Sequence, residues 1–237
     1  MVADCELAAS GALALPRIVM SSNGYFIARY HSDAAFRDLV ASADIVDADG
    51  MPLVLASRMF CKPPLLERVA TTDFVHDAAA AAGGHNLRFY FLGARPGVAE
   101  KAAEELVRRH DGVQIVRSRH GYFNEADEAS ICEDIRAART DVLWVGMGSP
   151  MQEAFAVRNR KRLAGVAWIK TCGGLFDHCA GRVPRAPAWM QRFSLEWLHR
   201  AATEPRRLGG RYLRTNPVAA YHLLTKTYDV GSEESVQ

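Results

Sequence analysis

The chain lacks the cysteine pattern of a disulfide framework and of the common zinc sites. It contains five cysteines, an odd number, and none of them forms a Cys-x-x-Cys pair. This favours reduced thiols in a cytoplasmic protein. Cys172, His178 and Cys179 lie close in sequence, but their spacing fits no common zinc site and a fourth ligand is missing. We therefore expect neither disulfide bonds nor a structural metal.

Long apolar runs are also missing. The chain has no stretch of about 18 uninterrupted apolar residues, so a membrane-spanning helix is not expected. Its first sixteen residues contain Asp4 and Glu6 but no basic residue, which is not the pattern of a signal peptide. Any contact with a membrane is therefore expected to be peripheral.

The net charge is only +2, but it is unevenly distributed. From Arg182 to Lys226, nine Lys and Arg residues against two Glu residues give +7, which leaves −5 for the rest of the chain. A basic end on an acidic protein indicates an anionic partner, either a membrane surface or a nucleic acid. No recognisable nucleic-acid-binding module accompanies the charge, so we expect a membrane surface and no nucleic acid.

Short apolar runs alternate with helical patterns over most of the chain. Strands are predicted at 17–20, 87–92, 113–116, 141–145 and 166–171, and a strand or turn at 44–48. Helices are predicted at 34–42, 72–82, 98–110, 125–138 and 150–163. Strands separated by helices of this length predict βαβ units, and hence an α/β fold built on a parallel sheet.

The pattern changes after Gly181. We predict a helix over 188–203 that Pro205 ends, and a last helix after Pro217. Each helix carries a stripe of large side chains, Trp189, Phe193 and Trp197 on the first and Tyr221, Leu224 and Tyr228 on the last. The stripes either pack on the core or lie on a membrane, with arginines reaching lipid phosphates.

One glycine-rich loop, Gly146-Met-Gly148-Ser-Pro-Met-Gln152-Glu153, falls between a predicted strand and a predicted helix. Such a loop lets backbone N–H groups approach a phosphate at a helix N-terminus. The third glycine of a dinucleotide fingerprint is replaced by Met151, and no acidic residue lies between Glu153 and Asp177, which disfavours a nicotinamide enzyme. A glycine turn that serves packing alone is the alternative.

Two more loops of this kind follow strands, Gly93-Ala-Arg-Pro-Gly97 and Cys172-Gly-Gly-Leu-Phe-Asp177. Loops at the carboxyl ends of parallel strands form the crevice where α/β sheets bind ligands. Asp177 either accepts hydrogen bonds from a base or ribose or is a turn residue without a ligand.

Asp47-Ala-Asp49-Gly50 leaves three interpretations open. The pair is a metal clamp for a diphosphate, or Asp49 is a general base on an acceptor hydroxyl, or both are turn residues. Arg68 stands just before a capped helix, where its charge opposes the helix dipole, so we expect it to bind a phosphate or form a surface salt bridge.

Taken in order, these motifs resemble the WecG/TagA/CpsF glycosyltransferase family over roughly residues 17 to 215. The matching residues are Asn23, Asp49-Gly50, Glu67-Arg68, Asp73, Phe91-Leu-Gly-Ala, Pro96-Gly97, Gly121-Tyr-Phe, Val145 to Glu153, Gly173-Gly, Phe176-Asp177, Gly181, Arg185-Ala-Pro-Ala-Trp189, Leu195-Glu-Trp197, Glu204-Pro-Arg206 and Arg211-Tyr-Leu213.

The resemblance implies a Rossmann-like α/β catalytic domain over residues 17–181 and a basic helical appendage over 182–230 near the membrane. It implies inverting transfer from a UDP-sugar (N-acetylmannosamine, its uronic acid or glucose) to a polyprenyl-diphosphate-linked saccharide in surface polysaccharide synthesis. The expected location is the cytoplasmic face of the plasma membrane. Neither a metal nor a cofactor is expected, and an oligomer is possible.

The resemblance also implies roles for single residues. Asp49 becomes the general base, Arg68 lies near the diphosphate, and Asn23 and Gln152 position the acceptor or the sugar. Tyr122 and Asp177 would lie near the uridine. Further substrate-binding residues would be Gly50, Thr72, Asp73, Gly93, Gly146, Gly148, Ser149, Pro150, Glu153, Gly173, Gly174 and Arg185. Arg206, Arg207, Arg211 and Arg214 would be close to the membrane. The alternative is a non-catalytic α/β protein that binds nucleotides or anionic surfaces.

Overall fold

The structure is a computed structural model that describes residues 1–192 and 195–229, with only the backbone described at Ala188, Arg192 and Arg207. Within these ranges six strands form one sheet: β1 (Arg17–Ser22), β2 (Ile45–Ala48), β3 (Arg88–Gly93), β4 (Gln114–Arg119), β5 (Val142–Gly146) and β6 (Trp168–Thr171).

The sheet has the order β2-β1-β6-β5-β3-β4, and its strands run parallel. Every residue of β5 and β6 is buried, as expected for strands that helices cover on both faces. The predicted α/β fold with a Rossmann-like parallel sheet is therefore confirmed. Because the strands are parallel, the loops after them leave from the same edge of the sheet.

The described residues also form twelve α-helices: α1 (Val2–Ala9), α2 (Gly24–Ser32), α3 (Ala34–Ala41), α4 (Met51–Phe60), α5 (Thr71–His85), α6 (Val98–Arg109), α7 (Glu128–Ala137), α8 (Met151–Asn159), α9 (Leu175–Cys179), α10 (Ala188–Arg192), α11 (Glu196–Thr203) and α12 (Gly210–Thr225). A 3₁₀ turn spans Glu125–Asp127, and a π-helical turn spans Pro205–Gly209.

The five predicted strands and all five helices predicted before residue 165 are confirmed, with boundary shifts of a few residues, and the strand or turn expected at 44–48 is a strand. Four helices, α1, α2, α4 and α9, were not predicted. Asn23 caps α2, because its Oδ1 accepts a hydrogen bond from the Phe26 N–H. Asp4 on α1 accepts hydrogen bonds from Arg17 Nε and Trp168 Nε1 at 2.6 and 2.8 Å. These polar contacts hold α1 beside β1 and β6.

Two predictions for the carboxyl-terminal segment are wrong. The helix expected over 188–203 is two separate helices, α10 and α11. The last helix does not begin after Pro217, because α12 begins at Gly210 and contains Pro217. Proline removes one backbone donor from a helix interior but does not always end it, and here packing on α2 accompanies the continuous helix.

Residues group into two compact units. The first contains 1–20, 38–46 and 71–184, and the second contains 21–37, 47–70 and 185–237, the last of these described to residue 229. The second unit thus includes two segments that precede the basic appendage in the chain. The predicted domains, 17–181 and 182–230, stay a prediction, and residue 230 lies outside the described residues.

The five cysteines are free, and four of them are buried. Burial raises the pKa of the Cys132 thiol and of the Cys179 thiol to about 11 each. These two cysteines are therefore thiols rather than thiolates at neutral pH, which suits a packing role.

Glu128 of α7 forms a buried polar cluster with α8. Its carboxylate accepts hydrogen bonds from Arg158 Nη2 at 2.5 Å and from Asn159 Nδ2 at 2.6 Å. Burial raises the pKa of Glu128, but the two hydrogen bonds outweigh burial and hold the pKa below its usual value of 4.5. The cluster therefore stabilises the folded chain when Glu128 is ionised.

We predict that Glu128→Gln lowers the free energy of unfolding at pH 7 by about 1–3 kcal/mol. A lowered folded pKa stabilises the fold above the unfolded pKa, and this contribution is lost as pH falls through the folded pKa. Urea denaturation between about pH 7 and pH 3 should therefore show a smaller difference between variant and wild type in acid. The exposed Glu133→Gln on the same helix is the control, and an equal loss for both variants would contradict the prediction.

Candidate functional site

Three glycine-containing loops meet at the carboxyl ends of β3, β5 and β6 in the first unit. Gly93 and Gly146 are register partners on β3 and β5. A Cβ on Gly93 would lie 2.3 Å from the Gly146 carbonyl oxygen, and one on Gly146 would lie 3.0 Å from the Gly173 oxygen. The loops therefore touch one another through their backbones, and Gly93 and Gly146 have a packing role there.

Other glycines of these loops face open space. Gly148 and Gly173 have φ of +80° and +54°, and a Cβ at either position would meet nothing within 4 Å. Both adopt the left-handed conformation that favours glycine. Gly174 is the N-cap residue of α9. Open backbone at Gly148 and Gly173 leaves room for a ligand to approach the loops closely.

The loop before α8 ends in a helix N-terminus. Pro150 is the N-cap residue and supplies no side-chain cap. The Ser149 hydroxyl oxygen is buried and has no hydrogen-bond partner within the described residues. A buried hydroxyl needs a hydrogen-bond partner, so this one can bond to a water or to a bound ligand. Together with the N–H groups of the first turn, this hydroxyl gives the loop the character of an anion site.

Gln152 and Glu153 are buried at the start of α8. The Gln152 oxygen Oε1 accepts a hydrogen bond from the Gly173 N–H at 2.9 Å, and its Nε2 donates to Glu153 Oε1 at 2.8 Å. The Gln152 amide thus joins the loop after β5 to the loop after β6. This geometry gives Gln152 a bracing role, while its predicted contact with the sugar or acceptor stays a prediction.

The remaining predicted residues of the first unit are more exposed. Thr72 and Asp73 lie in the first turn of α5, and Asp73 is exposed. The Tyr122 side chain is exposed and follows β4. Asp177 of α9 lies 3.9 Å from Arg182 Nε. In the part of the chain that the structure describes, no hydrogen bond joins Tyr122 and Asp177, the two residues assigned to uridine.

Arg119 is a candidate that sequence reasoning missed. It is the last residue of β4 and the register partner of Leu92, so it stands at the same edge of the sheet as the glycine loops. Its Nε is buried and makes no hydrogen bond within the described ranges. The strand was predicted to end at residue 116, so Arg119 was not expected at the carboxyl end of a strand. A strand predicted to reach residue 119 would have identified it.

In the second unit, backbone hydrogen bonds bring three predicted residues together. The Asp49 N–H donates to the Ser22 oxygen, and the Val69 N–H donates to the Ala48 oxygen, each at 2.9 Å. A Cβ on Gly50 would lie 3.8 Å from the Asn23 Cα. The chain next to Asn23, the chain at Asp49-Gly50 and the chain next to Arg68 are therefore neighbours.

Arg68 and Arg185 share a carboxylate in the same unit. Arg68 Nη1 donates a hydrogen bond to Glu196 Oε2, and Arg185 Nε lies 3.9 Å from Glu196 Oε1. Sequence reasoning gave Glu196 no role, although the Leu195-Glu-Trp197 motif contains it. Arg68 therefore forms a salt bridge with a side chain of α11, one of the two kinds of partner expected from the sequence.

The four arginines predicted to lie near a membrane have different surroundings. Arg206 is exposed, while the side chain of Arg207 lies outside the described residues. The Arg211 guanidinium packs over the rings of Tyr25 and Tyr212, 4.9 and 5.1 Å from the centroids. Arg214 lines a pocket of about 390 Å³ between α2 and α12. Of the three described side chains, Arg211 is the one held against the protein.

The aromatic stripe of the appendage is largely exposed. Trp189 is 57% exposed, Trp197 41%, Tyr221 62% and Tyr228 57%, whereas Phe193 lies outside the described residues. Large exposed apolar side chains are typical of a surface that meets another molecule rather than of a core.

A family model of the glycosyl transferase WecG/TagA/CpsF family matches residues 5–231 of the chain. The chain belongs to this family. It is therefore a glycosyltransferase of cell-surface polysaccharide synthesis, a class that uses a nucleotide-sugar donor and a lipid-linked acceptor. No helix in the part of the chain that the structure describes is both long and apolar enough to cross a bilayer.

The two kinds of glycine in the loops predict different costs of substitution. Gly93→Ala should destabilise the fold by about 3 kcal/mol or more, because the new Cβ overlaps backbone that cannot move away easily. Gly148→Ala should cost only about 1–2 kcal/mol, the strain of a left-handed residue in open space. Denaturant unfolding followed by circular dichroism measures the free energy of unfolding of both variants. Equal losses would show that the close approach of β3 and β5 at Gly93 does not restrict the side chain there.

Proposed function

We propose that the chain is an inverting glycosyltransferase that moves a sugar from a UDP-sugar to a polyprenyl-diphosphate-linked saccharide, with Asp49 as the general base. The donor would carry N-acetylmannosamine, its uronic acid or glucose. The observation that carries the proposal is the backbone arrangement that places Asp49 beside the segments of Asn23 and Arg68. In this proposal the three segments would supply the base, an amide and a cation.

In this reaction the Asp49 carboxylate takes the proton of an acceptor hydroxyl. The hydroxyl oxygen forms a bond to the anomeric carbon while the bond from that carbon to the diphosphate oxygen breaks. The electron pair of the broken bond leaves with UDP, and a single displacement inverts the configuration. A positioned carboxylate base contributes about 10²–10⁴-fold to such a rate.

The leaving diphosphate gains negative charge, so it needs positive groups that are fixed in advance. Arg68 is a candidate because it is mostly buried, with 12% of its side chain exposed. In the first unit, the N-terminus of α8, the Ser149 hydroxyl and the open backbone at Gly148 and Gly173 offer donors for the nucleotide. Metal-independent chemistry is part of this proposal.

Asn23 contributes to the proposed site through its amide NH2. Its Oδ1 is taken by the cap of α2, where it accepts from the Phe26 N–H at 3.2 Å. The amide nitrogen then remains as the group that would orient a sugar or acceptor hydroxyl. The cap also fixes the side chain, which lowers the entropy cost of holding substrate.

We predict that Asp49→Asn loses about 10²–10⁴-fold in turnover while its affinity for UDP changes little, because the amide cannot accept the proton. Turnover is measured as sugar transfer to a short polyprenyl-diphosphate-linked saccharide. The donors to compare are UDP-N-acetylmannosamine, its uronic acid, UDP-glucose and UDP-N-acetylglucosamine. UDP affinity is measured by calorimetry.

Asp47→Asn is the matched control for this prediction. Asp47 lies in β2, and Asp49 directly follows the end of this strand, so sequence spacing alone does not decide which of the two carboxylates acts. Full activity of the Asp47→Asn variant supports a base at Asp49. An equal, metal-dependent loss in both variants would instead support the metal clamp. An active Asp49→Asn enzyme, or failure with every donor, sinks the proposal.

Peripheral contact with the inner membrane face is the second part of the proposal. Its support is the +7 charge between Arg182 and Lys226 together with the exposed rings of Trp189, Trp197, Tyr221 and Tyr228. Basic side chains are attracted to anionic lipids by about 1 kcal/mol each, and aromatic rings favour the interface. Such a surface would keep the enzyme close to its lipid-linked acceptor.

We predict that the chain binds vesicles containing anionic lipid and that added salt weakens the binding. Arg206→Glu should weaken binding roughly tenfold or more, because it removes one attraction and adds a repulsion. Arg136→Glu on α7 makes the same change in net charge outside the appendage and is the control. Cosedimentation with vesicles gives the affinity, and stronger binding to duplex DNA than to vesicles would contradict the membrane assignment.

A further inference from the structure

Glu196 stands at the first position of α11, and its two carboxylate oxygens face two different arginines. Oε2 accepts a hydrogen bond from Arg68 Nη1, and Oε1 lies 3.9 Å from Arg185 Nε. All three residues belong to the second unit. One carboxylate therefore links the segment after α4, the segment before α10 and α11 itself.

The Glu196 carboxylate and the two arginines are partly buried. The side chains of Arg68, Glu196 and Arg185 are 12%, 28% and 35% exposed, so solvent screens their charges only in part. Two guanidinium groups held near each other repel, and a carboxylate between them offsets that repulsion. The Arg68 guanidinium is a planar fork of N–H groups, so its hydrogen bond to Glu196 helps to fix the orientation of the fork.

We infer that Glu196 is a positioning residue, which holds Arg68 and Arg185 in place for the diphosphate of the donor and so links α11 to donor binding. This inference rests on the proposed function, because Arg68 is the cation assigned to the diphosphate. Glu196 itself touches no substrate in this role. An arginine held in place before binding loses less side-chain entropy when the ligand arrives.

Two other roles of Glu196 would change the affinity for UDP in different ways. If the Glu196 carboxylate occupied the place of a phosphate, its removal would vacate that place and tighten the binding of UDP. If Glu196 only stabilised the fold, its removal would weaken UDP binding independently of Arg68. The positioning role alone requires that the effect of Glu196 passes through Arg68.

The test is a double-mutant cycle on UDP affinity, measured by calorimetry with the full chain. We expect Glu196→Gln to weaken UDP binding about tenfold, and Glu196→Asp, which keeps the charge on a shorter stem, to recover part of the loss. In an Arg68→Lys background the Glu196→Gln effect should fall to about twofold or less, because the lysine has no fork to orient. Glu67→Gln, an exposed neighbour with the same charge change, should bind like the wild type.

The outcomes of the cycle distinguish the positioning role of Glu196 from the proposed function. Losses that add without coupling, or tighter UDP binding by Glu196→Gln, overturn the positioning role and leave the proposed function standing. A wild-type chain that does not bind UDP overturns the proposed donor and this role together. Thermal unfolding of each variant establishes that the compared chains are folded. If Glu196→Gln does not fold, Glu196→Asp replaces it in the double-mutant cycle.

Discussion

Backbone runs against backbone where β3 and β5 end, at Gly93 and Gly146. No side chain fits between the strands there, since even a Cβ on Gly93 would lie 2.3 Å from the Gly146 oxygen. This close approach brings the loops after β3, β5 and β6 into one group. The Gln152 amide then fixes the spacing of two of these loops through its bond to the Gly173 N–H. In the same loops, a Cβ at Gly148 or Gly173 would meet nothing within 4 Å.

In the second unit, backbone hydrogen bonds bring separate segments of the candidate site together. The bonds from the Asp49 N–H to Ser22 and from the Val69 N–H to Ala48 hold three segments together that are distant in sequence. Groups fixed by backbone bonds need little reorganisation when substrate binds, which is the physical basis of electrostatic catalysis. The charged side chains are arranged on this frame, with Glu196 between Arg68 and Arg185. The appendage thus contributes a charge to the candidate site as well as a basic surface.

Much of the fold was predictable because the central strands β3, β5 and β6 are buried on both faces and appear in the sequence as short apolar runs. Helices α2 and α4 were missed for local reasons. Asn23 was read as a site residue, although its side chain also caps α2, and Pro52 at the start of α4 resembles a turn signal. The single helix expected over 188–203 was wrong, since amphipathic spacing continues across the break between α10 and α11. Pro217 was wrongly read as a helix boundary, although it lies inside α12.

The sequence by itself determined the fold class, the family and the residue types at the loop ends, because these depend on local periodicity and on motifs that are contiguous in the chain. It also determined the +7 charge of the appendage. Only the tertiary structure separated the packing glycines, Gly93 and Gly146, from the open ones, since a Cβ clash depends on a neighbouring strand. Only the tertiary structure paired Glu196 with Arg68, because a contact between residues 128 positions apart leaves no periodic trace in the sequence.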